Sequence, residues 1–166
     1  MRLLWTMFAH YHGQVWDAIR FARSPGTSEV RARRSLDMAA LPEVVARRCR
    51  FIIEESQRVL DLAEALPSGE PGRLFELLSA SYLGARDLYE IGAPAMSDMM
   101  AAMLSAPGVI GARQAGAGFG GYMVALVRDG TIASFIAHVE ADYLRRTGIQ
   151  PRVYAVSATA GAGLVA

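Results

Sequence analysis

The stretch whose residue types and spacing point to specific chemistry is Gly111-Ala112-Arg113-Gln114-Ala115-Gly116-Ala117-Gly118-Phe119-Gly120-Gly121. Glycines at 116, 118, 120 and 121 permit positive φ and close approach to the backbone. Successive N–H groups bare of side chains can form a concavity that binds an anion. The competing reading is a tight hairpin packed against helices, where glycine simply fits. Other reactive groups are sparse. His10-x-His12 has the spacing of two metal ligands, but no cysteine or acidic cluster converges on it and His138 is far along the chain, so no metal site is expected. Cys49, flanked by Arg47, Arg48 and Arg50 on an apolar helix face, reads as a buried structural thiol. Glu54-Glu55 reads as a water-facing pair on the same helix. No catalytic acid, base or nucleophile stands out.

The glycine stretch must be held by regular elements on both sides. Val109 to Ala115 reads as a strand of small residues, and Tyr122 to Val127 as an apolar one, which makes 116–121 the turn of an antiparallel pair. Three helices are expected ahead of it. One follows Leu41-Pro42 over about 42–66, with an inward stripe of Val45, Cys49, Ile52, Ser56, Val59, Ala63 and Leu66, widened by Val44, Ile53 and Leu60. A second covers about 71–89, with Leu74, Leu77, Leu78, Ser81 and Leu88 inward. The third runs over about 94–106, where Met96, Met99, Met100 and Met103 serve as core filler. After the strands come a turn at Arg128-Asp129-Gly130 and an amphipathic helix over 131–147 ended by Gly148. A last strand is expected from Arg152 to Ser157, then a loose tail. Leu4, Phe8, Tyr11, Val15, Ile19 and Ala22 repeat at helical spacing, so residues 1–30 read as a helical appendage to a domain of 31–166. The order predicts an α+β fold, an antiparallel sheet with helices packed on one face.

Composition narrows the chemistry. The chain has 166 residues, 52% hydrophobic and 20% charged, which disfavours disorder. All 17 basic residues are arginine, and neither lysine nor asparagine occurs. That excludes, within these residues, a Schiff-base lysine, a phosphate-loop lysine and an N-glycosylation acceptor. Residues 1–50 carry nine arginines against four acids, yet these read as solvated helix faces, and no nucleic-acid partner is expected. No apolar run approaches the ~20 residues that span a bilayer, and no membrane partner is expected. The start shows no signal-peptide pattern, and the single cysteine fits a reducing cytoplasm.

The residues also carry a resemblance. Gly111-Ala112-Arg113, Gly116-Ala117-Gly118-Phe119-Gly120-Gly121 and the strand Val124-Ala125-Leu126-Val127 resemble the third signature motif of the galactokinase branch of the GHMP kinases, approximately G-A-R-x-T-G-G-G-F-G-G. Arg86-Asp87-x-Tyr89-Glu90 resembles the R-D-x-Y-E ahead of it. Leu41 to Glu54 and Gly148 to Val153 resemble the flanking segments. Together these cover about residues 35–157 in the family's order. Ala115 stands where the family has threonine, Ala117 where it has glycine, and Tyr82 near a position that is often histidine. The Gly-Ala-Gly-Phe form is also similar to galacturonokinases, so the sugar stays open.

The resemblance implies a GHMP kinase C-terminal, ferredoxin-like domain, and one lobe of an ATP- and Mg-dependent sugar kinase. The family's G-R-x-N-x-I-G-E-H and P-x-G-x-G-L-S-S-S segments do not occur among the 166 residues, and its catalytic aspartate belongs with them. These residues are thus expected to correspond to a truncated kinase, inactive alone. The wall they would contribute consists of Arg113, Gly116, Ala117, Gly118, Phe119, Gly120 and Gly121, facing phosphate or substrate, with no catalytic residue and no metal ligand. Arg113 reads equally as a strand-end surface residue. Implied partners are a separate N-terminal kinase lobe or a second copy of the chain, with a small sugar as substrate. The alternative is a non-catalytic binding or interaction module derived from a kinase domain.

Overall fold

A computed structural model describes residues 2–5, 41–116, 119 and 121–157. Its elements are β1 (Arg2–Trp5), α1 (Glu43–Ala65), α2 (Pro71–Asp87), α3 (Pro94–Leu104), β2 (Val109–Ala115), β3 (Tyr122–Val127), a short 3-10 turn (Asp129–Thr131) and α4 (Ile132–Thr147). Local chemistry explains the helix starts. Proline occupies the first position of α2 and α3, where its missing N–H costs nothing. Glu70 caps α2, its carboxylate accepting from Gly72 N at 2.9 Å and Arg73 N at 2.6 Å.

The sheet is antiparallel, in the order β1-β3-β2. Ala112 lies opposite Ala125 and Ala115 opposite Tyr122, with a bulge between Val109 and Gly111. Strand alternation divides the side chains between two cores. Ala112, Met123, Ala125 and Val127 join Met96, Met100 and Met103 of α3 and Phe135 and Val139 of α4. Leu126 and Ile110 instead meet Leu74 and Leu78 of α2, with Leu62 and Ala65 of α1 packed against them. The α+β class and the antiparallel sheet are as the sequence predicts. In detail, the flanking helices reach side chains on both sides of the β2–β3 pair. The methionines are core filler, Met96, Met100 and Met103 each being buried.

Three local expectations are corrected. Leu4 and Trp5 do not begin a helix, because Arg2–Trp5 pairs with Val124–Val127 along the open edge of β3; residues 6–22 lie outside the described residues. Residues 152–157 form no strand: they join neither outer edge of the sheet, and Val153 packs instead as a side chain on the larger core. Helix α1 turns a different face inward. Val44, Val45, Ile52 and Leu60 are exposed, while the side toward α2 carries Phe51, Glu55, Arg58, Leu62 and Ala65. Two of those five are charged, and an apolar-periodicity reading discards them.

Candidate functional site

The glycine stretch caps the β2–β3 hairpin. Gly116 sits at φ +103 and Gly121 at φ +104, both in the region that favours glycine, and Phe119 between them is left-handed at φ 57. Residues 117, 118 and 120 of the expected wall lie outside the described residues. Phe119 has an exposed ring, at 73%, but its amide is committed. It donates to the carbonyl of Ile91 at 2.8 Å. The segment after α2 and the glycine turn, more than twenty residues apart in sequence, are therefore one structural unit.

That segment is where Arg86-Asp87-x-Tyr89-Glu90 falls. Arg86 Nε and Nη2 donate to Asp87 Oδ1 and Oδ2 at 2.6 and 2.8 Å, and its guanidinium lies 5.8 Å from the Tyr82 ring centroid. The hydrogen bond from Arg86 holds the Asp87 carboxyl below its ordinary range, with burial opposing. Tyr89 packs its ring 5.3 Å from that of Phe51 on α1. Glu90 is left-handed at φ 63 and accepts from Arg47 Nη2 at 2.6 Å and Arg48 Nη2 at 3.4 Å.

Arg113 is half-buried, and its charge is answered within the chain. Its Nη1 lies 3.1 Å from Glu55 Oε1, and its Nε donates to the Gln114 carbonyl at 3.1 Å. Glu55 is the hub: it also accepts from Ser81 Oγ at 2.5 Å and Arg58 Nε at 2.9 Å. Its side chain is 16% exposed, so Glu55 points inward rather than to water, unlike its neighbour Glu54 at 44%. Sequence reading missed Glu55, Glu90 and their arginines. The one available signal was the charge inside the i, i+3 and i, i+4 rows of α1.

Among the described residues, no group of three His, Cys, Asp or Glu side chains could hold a metal ion. His138 pairs with Ser105 Oγ at 3.0 Å across α3 and α4, and His10 and His12 lie outside the described residues. Cys49 is half-buried and forms no disulfide. A recess of about 300 Å³ lies along α1 between Ile53, Gln57 and Asp61 and involves no residue of the turn. No helix among the described residues is long and apolar enough to cross a membrane.

An antiparallel sheet flanked by helices, with a glycine turn clasped to the segment after α2, is a fold of the GHMP-kinase C-terminal type. The crystal structure of Lactococcus lactis galactokinase complexed with galactose matches it with a TM-score of 0.68 at 22% identity, covering 94% of this chain and 45% of that one. The galactokinase of Halalkalibacterium halodurans is 37% identical over 112 residues, which are 68% of this chain and 28% of that protein. That of Chloroflexus aurantiacus is 34% identical over 157 residues, 89% of this chain and 39% of the relative. No family model matches. The chain is homologous, in sequence and in fold, to the galactokinases of the GHMP family, and the match has the extent of a single lobe. It spans roughly a third of the length of these curated relatives, between 28% and 39%.

Proposed function

We propose that this chain forms the C-terminal lobe of a galactokinase-like sugar kinase and supplies one wall of its phosphoryl-transfer cleft. In that reaction the γ-phosphoryl group of ATP passes to a sugar hydroxyl. Catalysis of that kind rests on positioning and on charge neutralisation rather than on covalent chemistry by the protein. ATP and magnesium would be held by the other lobe, which the described residues do not provide. The observation that carries the reading is the glycine turn, left-handed at Phe119 and at positive φ at Gly116 and Gly121. Gly116, Ala117, Gly118, Gly120 and Gly121 would line the cleft with backbone. Phe119 would fix the turn rather than donate to phosphate, because its N–H is spent on Ile91. Arg113 would stiffen the strand entering the turn through Glu55, leaving only its remaining N–H groups for a ligand.

The test is a chimera in which this chain replaces the matching segment of the Halalkalibacterium halodurans galactokinase. Galactose-dependent ADP release by the chimera is expected, with galacturonate assayed in parallel. The 166-residue chain alone is expected to release none with either sugar. A folded chimera without turnover on either sugar refutes the lobe assignment, and turnover by the chain alone refutes its incompleteness. The first of those outcomes favours a second reading, a non-catalytic interaction module. The exposed apolar residues of α1, Val45 at 44% and Ile52 at 40% among them, would then be its contact face, toward a separate lobe or a second copy.

A further inference from the structure

Glu90 stands just past the end of α2, where Tyr89 N–H bonds back to the Gly84 carbonyl and Ile91 N–H to that of Ala85, so a left-handed residue belongs to the way this helix ends. Glu90 carries a side chain yet sits at φ 63, a conformation disfavoured for any residue but glycine and, less so, asparagine or aspartate. Its carboxylate reaches back 43 and 42 residues to Arg47 and Arg48, in the first turns of α1. The residue after it, Ile91, is pinned at both ends of its peptide: its N–H donates to the Ala85 carbonyl at 3.1 Å, and its carbonyl accepts from Phe119 N–H at 2.8 Å. Phe119 is itself left-handed. A single hydrogen bond thus ties left-handed Phe119 to the residue that follows left-handed Glu90. An ion pair from a third segment stands behind it.

We propose that Glu90, clasped by Arg47, is a positioning residue for the glycine turn. The ion pair holds the Glu90 backbone left-handed, which aims the Ile91 carbonyl at Phe119 and fixes that residue in the turn. The catalytic value of that arrangement rests on the reading of the turn as a cleft wall; the arrangement itself does not. Arg47 is 32% exposed and Glu90 44%, and ion pairs of that exposure contribute little to global stability. The effect of breaking the clasp belongs at the turn, not in the melting temperature.

The experiment is amide hydrogen exchange by NMR on the full chain, comparing the wild type with Glu90→Ala, Arg47→Ala and Glu90→Gly. In the alanine variants the protection of the Phe119 amide should fall about tenfold, equivalent to ~1.4 kcal/mol of local opening. The amide of Leu126, in β3 with strands on both sides, should keep its protection in both. Glu90→Gly should keep most of the protection at Phe119, because glycine adopts the left-handed conformation without a clasp. Unchanged protection at Phe119 in both alanine variants overturns the proposal. So does equal loss in Glu90→Gly and Glu90→Ala, since the carboxylate would then not act through the backbone. Parallel loss at Leu126 overturns it too, because the role would then be general stability. Turnover takes no part in this readout, so a failed chimera and a failed clasp are separate results.

Discussion

Replacing Glu55 with alanine removes the acceptor shared by Ser81, Arg113 and Arg58, and the structure sets the size of the loss. Three donors lie within 2.5–3.1 Å of one carboxylate that is 16% exposed. Arg58 is 14% exposed, has a buried Nη2 without a partner, and would keep only the long 3.5 Å contact of its Nη1 with Glu54. A hydrogen bond to a charged group contributes about 1.5–3 kcal/mol, and leaving a buried charge unpaired adds to the loss. Arg113 is 31% exposed, and water can replace part of what it loses. A net destabilisation of about 3 kcal/mol follows once that discount is applied. In a chain of this size that lowers Tm by roughly 6–12 °C. The adjacent Glu54 is the control, since it is 44% exposed and 3.5 Å from Arg58 Nη1. Glu54→Ala should cost no more than about 0.5 kcal/mol. Glu55→Gln, which keeps one carbonyl acceptor without the charge, should fall between the two. Thermal melts and urea titrations of the three variants decide it. Equal stability of Glu55→Ala and Glu54→Ala would refute the reasoning: Glu55 would then stand in water, and Arg113 would be free to meet a ligand.

Gly116→Ala isolates the cost of the turn's backbone, because a Cβ at that position meets nothing within 4 Å while φ is +103. Urea unfolding should show a loss of about 1–3 kcal/mol from conformation alone, and a neutral substitution would mean the turn does not need that geometry. The acid limb of stability should depend on Asp142. Its carboxyl is held below the ordinary carboxylate range, chiefly by the hydrogen bond from Arg146 and also by Arg145, with burial opposing. A carboxyl depressed in the folded state stabilises the protein above its unfolded pKa of about 3.9 and loses that contribution as pH falls through the folded value. Asp142→Asn should therefore melt below the wild type at neutral pH, with the gap closing at acid pH; a gap constant between pH 7 and about 2.5 would refute the assignment.

Much of the architecture was legible because single-segment physics governs it. Helices α2, α3 and α4 are marked by apolar period and, for the first two, by proline at the first position. The β2–β3 hairpin is marked by two short apolar runs around glycines. The failures have a common form. Strand β1 has four residues, too few for a period, and its partner β3 lies about 120 positions away. Arg152–Ser157 reads locally as a strand, but it joins no edge of the sheet and Val153 is spent on the larger core instead. In α1 the apolar stripe of Val45 and Ile52 points outward. The inward face is held by Glu55, whose partners Ser81 and Arg113 are 26 and 58 residues away. No local pattern announces such pairings.

The candidate site follows the same division. The glycines identify where a turn of unusual backbone must lie, and the resemblance puts Arg86–Glu90 ahead of it in order, but neither says that the two segments touch. A left-handed glutamate has no sequence signature, since glutamate is not among the residues enriched there. The Ile91–Phe119 hydrogen bond couples the left-handed end of α2 to the turn, and Arg47 and Arg48 are the partners that the Glu90 carboxylate meets. The glycines thus permit the turn without determining it. On the proposed clasp, Phe119 is held from outside, through a helix that begins more than seventy residues earlier, and a substitution at Arg47 would reach it without touching it. An Arg47→Ala chain that melts normally yet exchanges its Phe119 amide faster is the behaviour this division of labour requires.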